Sequence, residues 1–252
     1  MAKQNKLYVI SLPIGQALDL SPRARSALEE ADLIAAEDTR VFKTFATSLG
    51  ITTKKVISYH DHNEKNSALG LIDLLKGGQS VALVSDAGTP GISDPSHHIV
   101  DLCFKEKITV TPIPGVSAVT AALSVCPIGG NAHTFLGFAP SKSNERKKLF
   151  EDLKKLEHRF VFFESPHRLI DHLTDALAVY GNISLFLARE MTKRYEEFLF
   201  EDIERLLENF KKKEPKGEFV MVYPPIEPVF DKKDFDQWLV EQIEEGSSNQ
   251  DI

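Results

Sequence analysis

Residues 84–95 read Val84-Ser85-Asp86-Ala87-Gly88-Thr89-Pro90-Gly91-Ile92-Ser93-Asp94-Pro95, and they follow an apolar run at residues 80–84. The two glycines permit backbone angles that other residues avoid, and the prolines restrict φ to one value. The short side chains leave main-chain N–H and C=O groups open to close approach. Because the preceding run is a predicted buried strand, the loop is predicted to bind a ligand at a strand end, although an ordinary Gly/Pro turn would have a similar composition.

Three further loops of this kind also follow apolar runs. They are Leu12-Pro13-Ile14-Gly15, Ala35-Ala36-Glu37-Asp38-Thr39-Arg40 and Pro112-Ile113-Pro114-Gly115-Val116-Ser117-Ala118. In an open parallel α/β sheet, ligands bind outside the carboxyl ends of the strands. The four loops therefore predict one shared ligand crevice.

The order of apolar runs predicts an α/β protein with two halves. Strand-like runs at residues 7–10, 33–36, 56–59, 81–84 and 108–113 alternate with helical patterns, as in parallel sheets. The second half has runs at residues 135–138, 160–163, 183–188, 195–200 and 219–223. The third and fourth of these leave no room for a crossover helix, which predicts an antiparallel pair in a mixed sheet. We predict domains at residues 1–114 and 115–224, followed by an acidic tail at 225–252 with an amphipathic piece at 235–243.

Composition sets wide limits on the class of protein. The chain has 252 residues, 42% of them hydrophobic, which suffices for a sizeable core in one or two domains. No signal peptide and no run of membrane-spanning length is visible, so a soluble cytoplasmic protein is expected. Cys103 and Cys126 form no Cys-x-x-Cys pattern and are predicted to be small buried side chains.

The net charge of −7 is concentrated at the end of the chain. Residues 226–252 carry eight carboxylates against Lys232 and Lys233, so the remainder is nearly neutral. That remainder holds two basic clusters, which are candidates for phosphate contacts or, alternatively, ordinary solvated helix faces. The first cluster comprises Lys142, Arg146, Lys147, Lys148, Lys154, Lys155 and Arg159, and the second comprises Lys211, Lys212, Lys213 and Lys216.

The loops quoted above resemble, together with three later segments, the tetrapyrrole methylase superfamily of S-adenosylmethionine-dependent enzymes. The later segments are Phe163-Glu164-Ser165-Pro166-His167-Arg168, Ala188-Arg189-Glu190-Met191-Thr192-Lys193 and Pro215-Lys216-Gly217-Glu218-Phe219-Val220. Within the superfamily, the Asp-Ala-Gly-Thr-Pro, Glu-Ser-Pro-His-Arg and Ala-Arg-Glu-Met-Thr-Lys segments are similar to the branch that methylates a cytidine ribose 2′-hydroxyl in bacterial small-subunit (16S) ribosomal RNA. The resemblance implies an N-terminal parallel-sheet domain, a C-terminal mixed-sheet domain and a cofactor cleft between them. It also implies a homodimer that acts on ribosomal RNA or the small ribosomal subunit.

The chain has neither a Gly-x-Gly-x-Gly loop nor a P-loop, which argues against a Rossmann-type site. The resemblance implies instead S-adenosylmethionine held in a bent shape by main-chain groups of several loops. Carried onto matching positions, the cofactor contacts of the first domain are Pro13, Ala87, Gly88, Thr89, Ile92, Ser117 and Ala118. Those of the second domain are Glu164, Ala188 and Gly217.

Methyl transfer to a ribose hydroxyl requires alignment of three atoms and help with loss of the hydroxyl proton. The candidate catalytic residues are Glu37, Asp38, Asp86, His167 and Glu190, with Arg40, Arg168 and Arg189 as partners for phosphate or carboxylate groups. For each acid a cap or an ion pair is the alternative. Asp38 could cap a helix that starts at Thr39, and Glu190 could pair with Arg189 or Lys193.

The histidines do not predict a metal site. His60 and His62 form one close pair and His97 and His98 another, but neither pair has a third ligand at suitable spacing. The resembling branch has a similar His-rich segment at residues 59–64, which would serve the substrate side.

The chain departs from the family pattern at three places. Gln16 replaces a usual Asn, Ser96 replaces a usual Gly, and little follows Pro225, where many members have a small helical domain. These differences keep two alternatives open. The first is a methyltransferase of another acceptor, such as a tetrapyrrole precursor, and the second is a non-catalytic cofactor-binding protein.

Overall fold

The computed structural model describes residues 5–60 and 63–226. The predicted acidic tail, with its amphipathic piece at residues 235–243, lies almost entirely outside the described residues, as does His62. Within the described residues, no helix is long and apolar enough to cross a membrane.

The first domain is a parallel sheet of five strands with helices on both faces. The strand order is β3-β2-β4-β1-β5, and every pairing is parallel, as predicted. The elements in chain order are β1 Lys6–Ile10, a 3₁₀ helix Ala17–Asp19, α1 Pro22–Glu30, β2 Leu33–Ala36, α2 Thr39–Ser48, β3 Val56–Ser58, α3 Glu64–Lys76, β4 Val81–Val84, α4 His97–Lys105 and β5 Thr109–Ile113.

Two hydrophobic layers hold this sheet. Helices α1 and α2 pack on one face through residues such as Leu28 and Phe42. Helices α3 and α4 pack on the other face through residues such as Leu71 and Ile99. Strands β2 and β4 are buried along their whole length, as expected for central strands covered on both faces. This arrangement brings the carboxyl ends of the strands to one edge.

The second domain is a mixed sheet with the order β6-β7-β10-β8-β9. Only the β6–β7 pairing is parallel, and β8 and β9 form the predicted antiparallel pair. The elements in chain order are α5 Ala118–Val125, β6 His133–Phe138, α6 Ser143–Leu153, β7 Arg159–Glu164, α7 Pro166–Tyr180, β8 Ser184–Arg189, β9 Glu197–Asp202, α8 Ile203–Lys212 and β10 Phe219–Tyr223.

The second sheet is also covered on two faces, but unequally. Helices α6, α7 and α8 cover one face with an aromatic core that includes Phe150, Phe162 and Tyr223. The short helix α5 covers part of the other face, where Phe198 and Phe200 of the edge strand β9 are 43% and 52% exposed. The boundary near residue 114 stays a prediction. Strand β5 ends just before it, and α5 packs on the second sheet.

Two predictions about individual side chains are wrong. Arg146 does not belong to an exposed basic cluster, because it is buried and donates from Nε to Asp175 Oδ2 at 2.8 Å. Cys103 is buried as predicted, but Cys126 is partly exposed at the end of α5. A one-dimensional charge pattern does not reveal which cation has a carboxylate partner from another helix.

Candidate functional site

The four strand-end loops of the first domain meet the second domain around a cavity of about 570 Å³, which we name the interdomain cavity. Beside it lies a more open groove of about 680 Å³, formed by the loop after β1 and the first turns of α2, which we name the α2 groove. Ile14, Asp86 and Ala87 line both spaces. The predicted shared crevice thus consists of two connected compartments.

Hydrogen bonds between backbones hold the first-domain wall of the cavity. Leu12 and Gly88 exchange N–H···O bonds of 2.8 and 3.1 Å between the loops after β1 and β4. Gly88 has φ +74°, a conformation that favours glycine. Thr89 Oγ1 donates to the Val116 carbonyl at 2.9 Å and lies 2.8 Å from Ser11 Oγ. Three strand ends are therefore fixed to one another by short polar contacts.

A chain of acidic residues follows the first-domain wall toward the α2 groove. Glu37 Oε2 accepts the Asp86 backbone N–H at 3.2 Å, and Asp86 Oδ1 accepts the Asp38 N–H at 3.0 Å. Asp38 caps α2 by accepting the Arg40 N–H at 2.8 Å, and it also accepts two bonds from the Arg40 guanidinium. The predicted capping role of Asp38 is therefore confirmed.

Asp38 and Asp86 differ in basicity. The side-chain hydrogen bonds from Arg40 hold the pKa of Asp38 far below its usual range. Desolvation raises the pKa of Asp86, together with the nearby charge of Asp38, although the hydrogen bond from the Asp38 backbone opposes it. Asp86 is thus a better proton acceptor than Asp38.

The second-domain wall contains a buried carboxylate. Glu164, at the end of β7, accepts the Ser165 N–H through Oε1 at 2.8 Å, and its Oε2 lies 2.8 Å from His172 Nδ1. Both side chains are fully buried. Desolvation lowers the pKa of His172 despite the opposing effect of Glu164, which favours a neutral imidazole beside the Glu164 carboxyl group. Among the described residues, His172 Nε2 is buried without a partner.

A second brace lies between β8 and β10. Glu190 Oε1 accepts bonds of 3.0 Å from Lys193 Nζ and from the Glu218 N–H. A Cβ at Gly217 would lie 2.3 Å from Glu190 Cγ, so only glycine fits beneath the carboxylate. Burial alone would raise the pKa of Glu190, but the bonds from Lys193 and Glu218 outweigh it and lower the pKa. The alternative of a Glu190–Lys193 ion pair is therefore confirmed, whereas Arg189 pairs with Glu197.

The two domains approach each other closely at two places. A Cβ at Gly15 would lie 2.5 Å from Lys193 Cγ, and the neighbouring Gln16 N–H donates to Thr192 Oγ1 at 3.1 Å. Elsewhere, a Cβ at Gly137 in β6 would lie 3.1 Å from Ser93 Oγ. The Gln16 side chain accepts the Leu18 N–H and caps the 3₁₀ helix, so its departure from the family pattern has a structural use.

The predicted site residues divide among the two compartments and the core. Glu37, Asp86, Ala87, Gly88, Thr89, Ile92, Ser117, Ala118, Glu164 and Glu190 line the interdomain cavity. Pro13, Asp38 and Arg40 line the α2 groove. Ala188 is buried in β8, paired with the cavity residue Val220, and Gly217 packs against Glu190. His167 is exposed and lines neither compartment.

The sequence reasoning missed several residues of the second-domain wall. Phe138, Phe163 and Lys193 also line the interdomain cavity. Phe138 ends β6 and Phe163 lies near the end of β7, so the strand-end rule applied to the first sheet would have found them. In the part of the chain that the structure describes, no cluster of His, Cys, Asp or Glu side chains could hold a metal ion.

Comparison with known proteins gives a consistent picture. The model of the tetrapyrrole (corrin/porphyrin) methylase family matches residues 6–207. A Halalkalibacterium halodurans protein named ribosomal RNA small subunit methyltransferase I is 42% identical over 216 residues, which are 86% of this chain and 74% of that protein. A Thermotoga maritima protein of the same name is 42% identical over 217 residues, again 86% of this chain but 97% of that protein. The match thus spans nearly the whole of the Thermotoga maritima protein and about three quarters of the other.

The solved structures agree on the fold. A Thermus thermophilus uroporphyrin-III C-methyltransferase in complex with S-adenosylhomocysteine has a TM-score of 0.60 and 14% identity, over 86% of this chain and 96% of that chain. At this level of identity the likeness concerns the arrangement of elements alone. The predicted pair of parallel and mixed sheets is confirmed.

Proposed function

Because the chain belongs to the tetrapyrrole (corrin/porphyrin) methylase family and is therefore an S-adenosylmethionine-dependent methyltransferase, we propose that it methylates small-subunit ribosomal RNA at a cytidine ribose 2′-hydroxyl. One observation carries the choice of acceptor. Identity is 42% to proteins named for ribosomal RNA methylation, against 14% to a tetrapyrrole enzyme of the same fold. We extend the proposal to a bacterial cytoplasmic enzyme, since that is where its RNA substrate is found.

The interdomain cavity suits the cofactor in size and in chemistry. Its volume of about 570 Å³ lies within the usual range for pockets that enclose small molecules. When bound, S-adenosylmethionine supplies a methyl group activated by a positively charged sulfonium. Small residues at 87–89 and 117–118 allow contact with main-chain groups, and Glu164 places a buried carboxyl group at the wall. We assign the first-domain loops to cofactor shape recognition and Glu164 to the charged part of the cofactor.

Gly217 and Ala188 support this site without lining the cavity. Gly217 leaves room for Glu190, and Ala188 packs beside the cavity residue Val220. Pro13 lies at the other side, in the α2 groove. We therefore propose these three of the expected cofactor residues as supports of the cavity walls.

The proposed RNA surface is narrower than the sequence alone indicated. Arg146 is buried, and Lys142, Lys154 and Lys155 each pair with a carboxylate three residues away on α6 or its end. Lys212 of the second cluster likewise pairs with Glu208, at 2.6 Å. The exposed Lys148, Lys211, Lys213 and Lys216 are retained as candidates for phosphate contact.

The proposed homodimer rests on the uncovered part of the second sheet. Phe198 and Phe200 of β9 are exposed side chains on an edge strand, and Phe186 and Phe198 stack with ring centroids 6.1 Å apart. Exposed aromatic groups of this kind are commonly found at subunit interfaces. Light scattering of the wild type and of Phe200→Glu tests the point, because a dimer through β9 predicts a monomeric variant.

Transfer of labelled methyl from S-adenosylmethionine tests the function. Small ribosomal subunits lacking native modification are the main acceptor, and free ribosomal RNA and tetrapyrrole precursors are parallel acceptors. Label that maps to a 2′-O-methylated cytidine is the expected result. Label on a tetrapyrrole alone, or cofactor binding without transfer to any acceptor, would overturn the proposal in favour of another acceptor or a binding protein.

A further inference from the structure

The α2 groove adjoins the interdomain cavity, because Ile14, Asp86 and Ala87 line both spaces. One side of it is the loop after β1, and the other is the outer surface of α2 at Arg40, Val41, Thr44 and Phe45. Its volume is about 680 Å³, and it is more open to solvent than the interdomain cavity. A methyl acceptor must reach the cofactor from some adjoining space, and this groove adjoins it.

The lining of the α2 groove combines a cation with exposed apolar surface. The Arg40 side chain is 89% exposed even though it pairs with Asp38, and Val41 is 44% exposed on the same turn. Phe45 is half-buried, one helical turn farther along. Single-stranded RNA is bound in this way, with bases on aromatic or apolar side chains and phosphates near arginine.

We propose that an unstacked nucleotide of the RNA acceptor occupies the α2 groove and presents its ribose hydroxyl to Asp86. This inference rests on the proposed function. Arg40 contacts the adjoining phosphate, and Val41 and Phe45 contact the base. The nucleotide must leave its neighbours to enter the groove, as other bases do when enzymes act on them.

Asp86 has a special position between the two compartments. Of the three residues that line both, Ile14 and Ala87 are apolar, so Asp86 is the ionisable group at the junction. The acceptor oxygen forms a bond to the methyl carbon, the electron pair of the broken sulfur–carbon bond stays on sulfur, and the hydroxyl proton goes to the Asp86 carboxylate. The raised pKa of Asp86 suits it to accept that proton better than Asp38, which Arg40 neutralises.

A bulky side chain in the α2 groove tests its occupant. Thr44 is exposed and lines the groove, so Thr44→Trp fills the space without disturbing the core. We expect kcat/KM for methyl transfer to small ribosomal subunits to fall about tenfold or more, while the dissociation constant of S-adenosylmethionine, measured calorimetrically, stays within about twofold. Thr47→Trp is the matched control, because Thr47 is an exposed threonine of the same helix that lines neither compartment, and it should behave as wild type.

Asp86→Asn tests the junction separately. Asparagine can still accept the Asp38 N–H, so the loop keeps its contact while the proton acceptor is lost. We expect kcat to fall about a hundredfold with KM for the subunit and cofactor affinity nearly unchanged.

The outcomes separate this inference from the proposed function. If the wild type transfers methyl to the subunit and Thr44→Trp does so equally well, the groove does not hold the acceptor, and the proposed function stands. If Asp86→Asn keeps wild-type kcat, the assignment of Asp86 fails. If the wild type labels no ribosomal RNA, the proposed function fails. The proposal that an RNA nucleotide occupies the groove then fails as well.

Discussion

The two walls of the interdomain cavity are built differently. The first-domain wall consists of strand-end loops joined by backbone hydrogen bonds, and its acids Glu37 and Asp86 contact main-chain N–H groups. The second-domain wall is supported by charged side chains, namely the buried Glu164–His172 pair and the Glu190–Lys193 brace. The comparison indicates that acids of the first wall accept main-chain N–H groups, whereas those of the second wall pair with ionisable side chains.

The largest expected effect is on the buried pair of the second wall. His172→Phe removes the hydrogen-bond partner of the fully buried Glu164, and we expect the free energy of unfolding to fall by about 3 kcal/mol in urea titrations. Thr89→Val on the first wall removes hydrogen bonds between neutral groups and should lower the free energy of unfolding by about 1 kcal/mol. Equal losses in the two variants would contradict the difference between the walls.

A smaller effect is expected where Gly217 meets Glu190. Gly217→Ala introduces a Cβ at φ +89° and also crowds Glu190. We expect this variant to lower the free energy of unfolding by about 2–3 kcal/mol. Gly78→Ala is the matched control, because Gly78 has φ +88° and nothing lies within 4 Å of an added Cβ. Its free energy of unfolding should fall by about 1 kcal/mol. If both variants lose the same amount, the contact between Gly217 and Glu190 does not constrain the wall.

The smallest effect is in the dependence of stability on pH. The pKa of Glu190 is lowered in the folded state, so its contribution is present above the unfolded pKa and is lost as pH falls through the folded pKa. The pKa of Asp86 is raised, so the folded state binds the proton more tightly and ionisation of Asp86 costs stability as pH rises.

Chemical denaturation between pH 3 and pH 7 measures both effects. Relative to wild type, Glu190→Gln should be most destabilised near neutral pH, and its deficit should shrink in acid. Asp86→Asn should show the opposite trend, with its greatest relative stability near neutral pH. Parallel curves for the two variants would remove the electrostatic distinction between the walls.

Local sequence signals predicted the first-domain wall well. Each predicted strand is present with its ends within two residues, and Ser21, which precedes Pro22, caps α1 by accepting the Ala24 N–H. Strand-end loops can be read in this way because Gly and Pro restrict or permit backbone angles of the residues themselves. Asp86 and Gly88 could be placed at a strand end because the apolar run that ends at Val84 directly precedes them.

The second-domain wall depended on contacts that local patterns do not carry. His172 lies inside a helix, and its partner Glu164 ends a strand eight residues earlier. The sequence does not show whether the Glu164 side chain faces the core or solvent. Gly217 looks like an ordinary turn glycine until Glu190, 27 positions earlier, is seen against it. Burial and tertiary contact, rather than residue type, decided these roles.

The contacts at Gly15 and Gly137 bear on the kinetics of ligand exchange. At each of them the two domains approach closely beside the cavity, at Lys193 and Thr192 in the first case and at Ser93 in the second. These close approaches leave little space between the domains at both places. A ligand that enters a preassembled space loses little affinity to ordering the protein, so its residence time depends mainly on its own contacts.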